Sequence, residues 1–389
     1  MNDCLESIDR HLPVISIFMD LKKAFDTVDH DILIRKLELY GFSSNSILLL
    51  RNYLSNRSYY VKMNSKLSEK CEYSCGVPQG SILGPLLFIL FINDLCFLDL
   101  NSKLVLFADD TTMYFTGHTI ENIVRGLTRD LEIVCEWFEH NRLIINWSKT
   151  NGMLFHYNPN SVDLSEIDLS WRGNRVTFVE SFKLLGVTLD QQLTFSQHVT
   201  SVCKKSNRMC HIISRCRYLF PTDFKVTLFK LFVLPHFDYC STLMISTSQS
   251  LLCKLEKCYY RAMKQIVNVK VSAEYDYAMQ FNMLAHLNIQ PPLVRMFKRY
   301  AQLVYNTVKF RSTPTLSERV IRRADNRLRN AYIEPSFKHK HGKHTFSRIA
   351  PKLLNSFLDQ MTALNPTNFN TKLDYDLFSF FSSNISIFR

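Results

Sequence analysis

The stretch Leu106–Tyr114 joins apolar and β-branched residues to an adjacent pair of carboxylates, Asp109 and Asp110. This pattern predicts a tight hairpin that presents charge at the edge of a buried sheet. Two like charges in an apolar setting repel each other and lose solvation, and a bound cation relieves both costs. The alternative is that both aspartates cap local backbone groups in a turn. This stretch alone does not separate the two interpretations.

A further carboxylate follows the run Leu12–Met19, which is short, apolar and partly β-branched. The run predicts a buried strand that has Asp20 at its C-terminal end. Asp29 then has the position of a helix N-cap, and Gly41 has the position of the residue that ends the same helix after Tyr40. The chain therefore supplies a second acidic strand end early in the sequence.

The segment Gly76–Pro85 contains three glycines and two prolines in ten residues. Glycine lets the backbone approach a ligand closely, and a helix that starts near Ser81 would direct free N–H groups at whatever is bound. A plain loop followed by a helix cap is the alternative. The helix predicted for Leu86–Leu95 is apolar all round, which indicates burial.

The order of the predicted elements indicates an α+β fold. A strand is followed by helices, a hairpin over Arg57–Cys75, the hairpin with the paired aspartates and a helix over Ile120–Phe138. This alternation is typical of a split βαβ sheet with antiparallel strands. Amphipathic helices follow from about Ser196, so a helical subdomain succeeds the mixed one.

The formal net charge of +12 and the pI near 9.1 suit a polyanionic partner, and nucleic acid is the first candidate. Between Arg295 and Lys352 there are fifteen Lys and Arg against three acids, a difference equal to the whole net charge. A solvated basic face or tail is the alternative reading of such a run.

Eleven cysteines without paired short spacings, in a chain without a secretory signal, predict reduced thiols in an intracellular protein and no zinc module. The most apolar run, Ile82–Leu98, is interrupted by a proline, an asparagine and an aspartate, which predicts that no segment spans a membrane. Three histidines stand among lysines and are interpreted as basic surface: His339, His341 and His344.

Three segments resemble motifs A, B and C of reverse transcriptases, in the same order. They are Phe18–Asp26 (FMDLKKAFD), Gly76–Leu87 (GVPQGSILGPLL) and Phe107–Asp110 (FADD). Their wording is similar to that of non-LTR (LINE-type) retrotransposons of the jockey and CR1 group. The resemblance implies a right-hand polymerase palm, an all-helical thumb and RNA-directed DNA synthesis.

The resemblance also implies a metal site for two Mg²⁺ ions, with Mn²⁺ as an alternative. Asp20 and Asp109 would be the main ligands, joined by the backbone carbonyl of Leu21, with Asp110 beside them. Adjacent strand residues point to opposite faces, which favours Asp109 over Asp110 as a ligand.

Further roles are implied around this centre. Phe25 matches a steric gate under the nucleotide sugar, although composition alone favours a core phenylalanine. Pro78, Gln79 and Gly80 would face the incoming dNTP and the template base. Lys149 would protonate the pyrophosphate leaving group, although a lysine at a strand end is more often simply solvated.

Weaker similarity continues along the chain. Asn146, Lys149 and Thr150 look like motif D. Leu184, Leu185 and Gly186 look like the motif E primer grip. The domains expected from the resemblance are a palm over 1–190, a helical thumb or connection over 191–310 and a basic C-terminal segment over 311–389. The partners implied are an RNA template, a DNA primer and dNTPs, and the location implied is the nucleus, the cytoplasm or both.

One departure from the family pattern is that Met1 lies only 19 residues before Asp20. The sequence therefore predicts an N-terminally truncated reverse transcriptase that lacks its fingers and extends primers poorly unless fingers are supplied in trans. Two alternatives stay open. One is a catalytically inactive nucleic-acid-binding remnant of a retrotransposon, and the other is a related polymerase such as a group II intron maturase or a telomerase-like protein.

Overall fold

The computed structural model describes residues 1–215, 218–245, 247–267, 284, 287–321, 332–337, 341 and 345–373. His339, His344 and part of the predicted basic segment lie outside these residues. The chain divides into two compact units, one of residues 12–180 and one that combines 1–11 with 181–389. Residues 1–11 and 181–190 were expected in the first domain, over 1–190, but here they belong to the unit that contains the C-terminal residues. The assignment of palm, thumb and basic segment stays a prediction.

The 12–180 unit is built on a five-stranded sheet, whose strands are β1 Val14–Met19, β6 Lys103–Phe107, β7 Asp110–Thr116, β8 Asn151–Phe155 and β11 Thr177–Phe178. They lie side by side in the order β11-β8-β1-β7-β6. The central strand β1 is antiparallel to both β7 and β8, and all six of its residues are buried. A continuous apolar run is what a strand covered on both faces requires. The strand predicted before Asp20 is therefore present.

Four helices accompany this sheet: α2 His30–Leu39, α3 Ser44–Leu54, α4 Leu83–Ile92 and α5 Ile120–His140. The predicted cap of α2 is present, because the Asp29 carboxylate accepts a hydrogen bond of 2.9 Å from the Ile32 N–H. Gly41 follows that helix with φ +85°, a conformation that glycine adopts without strain. The buried stripe of α5 runs through Ile123, Leu127, Leu131, Val134, Cys135 and Phe138, at the predicted helical spacing.

Helix α4 differs from the expectation of complete burial. Phe88 and Phe91 are fully buried, whereas Leu86 and Ile89 are each 51% exposed. Within this unit the helix packs on one side only, so the uniformly apolar sequence does not correspond to a helix enclosed on all sides. The helix continues as a 3-10 turn over Asn93–Phe97.

Short strands complete the unit. The predicted hairpin after α3 consists of β2 Arg57–Tyr59 paired with β5 Cys71–Tyr73, and β3 Lys62–Met63 paired with β4 Lys66–Leu67. A second small hairpin pairs β9 Ser170–Trp171 with β10 Asn174–Arg175. The unit has a hydrophobic core of its own.

The second unit is mostly helical and also has its own core. Its one described hairpin pairs β12 Ser181–Leu184 with β13 Val187–Asp190. Its helices are α1 Asn2–Asp9, α6 Ser196–Arg215, α7 Thr222–Leu228, α8 Leu234–Asp238, α9 Ser241–Met244, α10 Gln249–Val267, α11 Pro292–Phe310, α12 Pro314–Ser317, α13 Phe346–Leu353 and α14 Asp359–Thr362. π-helical turns cover Phe229–Val233 and Leu354–Leu358. Among the described helices, none is both long and apolar enough to cross a membrane.

The first helix, α1, belongs to this second unit through contacts with its C-terminal part. Glu6 accepts hydrogen bonds from Arg319 at 2.7 Å and from the Ser347 hydroxyl at 2.5 Å. The Arg319 guanidinium also pairs with Asp3. Residues far apart in sequence are therefore joined by a small charged network, which no local sequence pattern predicts.

Candidate active site

The sheet brings the segments that carry the three predicted aspartates to one edge. Strand β1 ends at Met19, which pairs with Thr111 of β7, so Asp20 leaves the sheet beside the start of that strand. Asp110 is the first residue of β7 and pairs with Phe107 of β6. The antiparallel register thus gathers a strand end and a hairpin turn, as the sequence predicted.

The turn between β6 and β7 is a two-residue loop of Ala108 and Asp109. Ala108 has φ +52°, a left-handed conformation that non-glycine residues adopt only at a cost. A tight loop leaves the Asp109 and Asp110 side chains at the tip of the hairpin. The strained residue Ala108 is thus followed directly by the two charged residues Asp109 and Asp110.

The electrostatic environment at the tip of the hairpin disfavours the ionised form of Asp110. Desolvation of the carboxyl group, followed by the charges of Asp109 and Asp20, raises the pKa of Asp110 above the usual aspartate value. The Asp110 carboxyl group therefore lies within electrostatic range of both Asp109 and Asp20. Within the described residues, however, no group of three or more His, Cys, Asp or Glu side chains is arranged closely enough to hold a metal ion by itself.

The Asp20 carboxylate has two partners in the loop that follows α5. Its Oδ2 accepts a hydrogen bond from Asn146 Nδ2 at 2.9 Å and lies 3.6 Å from the Lys149 ammonium. The backbone carbonyl of Asp20 accepts from the Asn146 N–H at 2.8 Å. Asn146 therefore orients the Asp20 carboxylate. The sequence placed Asn146 in motif D but did not predict this hydrogen bond.

The backbone around Leu21 is oriented by an isolated antiparallel bridge to Ile145. On either side of Leu21, the Asp20 carbonyl accepts a hydrogen bond from the Asn146 N–H, and the Lys22 N–H donates one to the Ile144 carbonyl. Since the peptide groups of neighbouring strand residues point to opposite sides, those of Leu21 point away from residues 144–146. The orientation of its carbonyl is compatible with the ligand role implied for it.

Phe25 lies in a 3-10 turn over Ala24–Asp26 and is half-buried. Its ring stacks on that of Phe88 with 4.6 Å between centroids. The contact joins the turn after Asp20 to helix α4. Both the implied sugar contact and a simple packing role are compatible with this position, and the steric-gate assignment stays a prediction.

The glycine-rich segment is held against the same turn. The Val77 N–H donates to the Phe25 carbonyl at 2.7 Å, and the Gly76 N–H donates to the Val28 carbonyl at 2.7 Å. Gly76 has φ +88°, and a Cβ on it would lie 2.7 Å from the Asp26 carbonyl oxygen. This position therefore requires glycine.

The centre of the segment faces open space. Gln79 and Gly80 are exposed, and nothing lies within 4 Å of a Cβ built on Gly80. Gln79 Nε2 donates to the Asp26 carboxylate at 2.8 Å, and the Pro78 carbonyl accepts from the Ser81 hydroxyl at 2.7 Å. Pro78, Gln79 and Gly80, three of the five residues predicted to contact the nucleotide, thus form one accessible turn. The hydrogen bond from Gln79 to Asp26 was not predicted from the sequence.

The predicted primer-grip residues belong to the other unit. Leu184 pairs with Val187, which makes Leu185 and Gly186 a two-residue turn with φ +46° and +84°. The Tyr239 hydroxyl donates to the Leu185 carbonyl at 2.5 Å. No sequence signal identified this tyrosine, because the contact spans more than fifty residues.

Comparison with known proteins identifies a matching family, several curated relatives and a solved structure. Residues 6–189 match the family described as reverse transcriptase (RNA-dependent DNA polymerase). The RNA-directed DNA polymerase from mobile element jockey of Drosophila melanogaster is 29% identical over 209 residues, which cover 52% of this chain and 22% of the relative. The probable RNA-directed DNA polymerase from transposon X-element of the same species is 30% identical over 236 residues, which cover 58% and 25%.

The chain thus spans about a quarter of the length of these curated relatives. Among solved structures, telomerase from Candida albicans in complex with a fragment of telomeric RNA aligns over 82% of this chain and 53% of that chain. Its sequence identity is 13% and its TM-score is 0.38.

Proposed function

We propose that this chain is a member of the reverse transcriptase (RNA-dependent DNA polymerase) family, whose model matches residues 6–189, and that its 12–180 unit is a polymerase palm. The similarity to RNA-directed DNA polymerases of the jockey and X-element transposons supports this assignment. The reaction of this palm is the addition of a dNTP to a primer 3′-hydroxyl, directed by an RNA template. The helices that follow act as a thumb. The fold itself, a mixed sheet with helices, is compatible with this division.

The observation that carries the proposal is the register between β1 and β7. Met19 opposite Thr111 brings Asp20 to the hairpin that bears Asp109 and Asp110. Polymerase chemistry needs carboxylates from separate elements that meet at one place. The raised pKa of Asp110, caused by desolvation and by the two neighbouring charges, supports a shared electrostatic environment.

The residues present fit a divalent cation of the Mg²⁺ type. Every donor in question is an oxygen: the carboxylates of Asp20, Asp109 and Asp110 and the carbonyl of Leu21. Mg²⁺ is usually held by one or two protein carboxylates plus substrate phosphates rather than by a complete protein cage. The lack of a three-residue cage among the described side chains is therefore compatible with such a site. When bound, a pair of these ions would stabilise the attacking and leaving oxygens of the displacement.

The chain's own residues would complete the reaction. Phe25 would lie under the sugar and select against a 2′-hydroxyl, and the Pro78–Gly80 turn would contact the nucleotide and the template base. Lys149, whose ammonium lies 3.6 Å from Asp20, would donate a proton to the departing pyrophosphate. Leu184, Leu185 and Gly186 would hold the primer end.

Nucleic acid is the proposed partner of the whole chain. The basic excess between Arg295 and Lys352 would contact phosphates without reading sequence. For an element that copies RNA into DNA, the proposed location is the nucleus, the cytoplasm or both.

A primer-extension assay on an RNA template tests the proposal. The chain is assayed with and without a separately supplied fingers segment of a related element. We expect extension in at least one of these two arms, and we expect it to fall by about a hundredfold or more in Asp20→Asn and Asp109→Asn. The matched control is Asp99→Asn, an exposed aspartate of the same unit. Extension that survives Asp109→Asn, or none in either arm, contradicts the proposal.

A second candidate is a nucleic-acid-binding remnant without catalysis. It is favoured by one observation, that the described carboxylates are not arranged as a ready metal cage. It predicts salt-sensitive binding to RNA that is unchanged by Asp20→Asn and Asp109→Asn, together with no extension under any condition. The same protein preparations and the same template distinguish it from the polymerase.

A further inference from the structure

Between the motif A and motif B segments the chain forms an exposed β-hairpin, residues 57–73, here called the 57–73 hairpin. Arg57 pairs with Tyr73 and Tyr59 with Cys71 near its base, and Lys62 pairs with Leu67 near its tip. The turn at Asn64 and Ser65 has φ +48° and +71°. This hairpin is outside the five-stranded sheet and pairs only with itself among the described strands.

Its surface combines rings, apolar side chains and positive charge. Tyr59 is 55% exposed and Tyr60 is 61% exposed. Its other exposed side chains include the apolar Val61, Met63 and Leu67, the basic Lys62, Lys66 and Lys70, and the acidic Glu69 and Glu72. Lys70 pairs with Glu72 at 3.5 Å, so the unpaired positive charge lies at Lys62 and Lys66 near the tip. An exposed apolar hairpin is a liability unless something covers it. Aromatic rings interleaved with lysines suit unpaired nucleotides, whose bases stack on rings while their phosphates meet cations.

The hairpin is anchored so that its rings have a defined position. The Arg57 guanidinium lies 4.7 Å from the Tyr53 ring centroid, and its Nε donates to the Tyr53 carbonyl at 2.7 Å. Across the strands, the rings of Tyr59 and Tyr73 are 6.3 Å apart. Helix α3 therefore fixes the base of the hairpin while the outer tyrosines stay accessible.

The hairpin also leads directly into the proposed nucleotide-binding turn. Only two residues separate Tyr73 from Gly76, and Cys75 forms an isolated bridge with Asp29. An RNA strand that presents a template base to the 78–80 turn would also pass the end of β5. The distance along the chain is short enough for one RNA strand to contact both.

We propose that the 57–73 hairpin binds the unpaired RNA template strand. Bases stack on Tyr59 and Tyr60, and phosphates contact Lys62 and Lys66. The assignment to the template rests on the proposed function, whereas binding of unpaired RNA does not. Bases already paired in a duplex are stacked on each other, so the hairpin discriminates against duplex.

Fluorescence anisotropy with the whole chain tests this inference. Labelled single-stranded RNA, single-stranded DNA of the same sequence and a blunt RNA–DNA duplex are titrated in the presence of a chelator, so that binding is measured apart from catalysis. We expect Tyr59→Ala and Tyr60→Ala each to weaken binding of the single strand by about fivefold or more, with duplex binding unchanged. Lys62→Ala should reduce the salt dependence of single-strand binding by about 0.7 in the logarithmic slope.

Two controls separate stacking from folding. Tyr59→Phe and Tyr60→Phe keep the rings and should bind as the unchanged chain does. Phe97→Ala removes a ring that is 77% exposed elsewhere in the same unit and should have no effect. Thermal unfolding checks that each variant is folded.

Four outcomes overturn the inference: alanine variants that lose less than about twofold, equal losses for duplex, losses confined to single-stranded DNA, or a self-association in the unchanged chain that the alanine variants abolish. The last would identify the hairpin as a contact between copies. RNA binding measured with the chelator present does not depend on Asp20 or Asp109. The hairpin inference can therefore fail while the polymerase proposal stands, and the polymerase proposal can fail while the hairpin inference stands.

Discussion

Asp110 is the residue at which the electrostatic cost of the candidate site is most evident. Desolvation and the charges of Asp109 and Asp20 raise its pKa, so the folded chain holds the Asp110 proton more tightly than the unfolded chain does. Its contribution to stability is favourable below the ordinary aspartate pKa and is lost as the pH rises through the raised value. At neutral pH the ionised side chain therefore opposes folding in the absence of a cation.

Replacing Asp110 by Asn should accordingly stabilise the metal-free chain at about pH 7 and give little gain at about pH 4. The gain should stay below about 1 kcal/mol, because solvent screens partly exposed charges. Melting temperatures measured at both pH values test this, with Asp99→Asn as the comparison. An equal gain at both pH values would show that repulsion is not the cause.

The sequence predicted acidic residues for the candidate site, but it did not predict their hydrogen-bond partners. Asp20, Asp109 and Asp110 were predictable because a strand end and a charged turn have local signatures. The hydrogen bond from Asn146 to Asp20, and the one from Gln79 to Asp26, join residues that are 126 and 53 positions apart. Such pairs are fixed by tertiary packing, which no local pattern encodes.

At the scale of elements, the β6–β7 hairpin is anchored at its open end by α5. The Asp130 side chain is fully buried and accepts hydrogen bonds from the Ser102 N–H at 2.6 Å and from Asn101 Nδ2 at 3.1 Å. A buried carboxylate that satisfies a backbone donor fixes the entry of β6. The acidic tip of the hairpin is thus positioned from the helix behind it.

Asp130→Ala should loosen the hairpin by leaving the Ser102 N–H unpaired, at a cost of about 2–3 kcal/mol. Amide hydrogen exchange over residues 103–116, followed by mass spectrometry, should accelerate in this variant. Glu132→Ala, an exposed position on the same helix, is the control and should leave the exchange unchanged. Unchanged protection in Asp130→Ala would exclude the anchoring role.

Elements with strong periodicity were predicted well, and those set by packing were not. The buried strand β1, the capped helix α2 and the stripe of α5 follow from local pattern. The half-exposure of α4 does not, because an apolar helix gives no signal about which side lacks a neighbour. Nor does the left-handed Ala108, since alanine carries no preference for that conformation.

At the scale of the whole molecule, the two units have separate cores and different compositions of secondary structure. The matched family segment, residues 6–189, contains all the predicted nucleotide-binding residues and the primer-grip turn. The sequence could not predict that α1 belongs with the C-terminal helices, because the network of Glu6, Arg319 and Ser347 depends on the folded chain. The positive charge of the remaining segment suits the phosphate backbone of a nucleic acid.

The central claim is that Asp20 and the Asp109–Asp110 hairpin share a divalent cation. Titration of Mn²⁺ followed by electron paramagnetic resonance, with template, primer and dNTP present, measures that binding directly. We predict saturable binding that Asp20→Asn and Asp109→Asn each weaken by about tenfold or more, as loss of a ligand should, while Asp99→Asn leaves it unchanged. Binding that is equally tight in all four proteins would contradict the account.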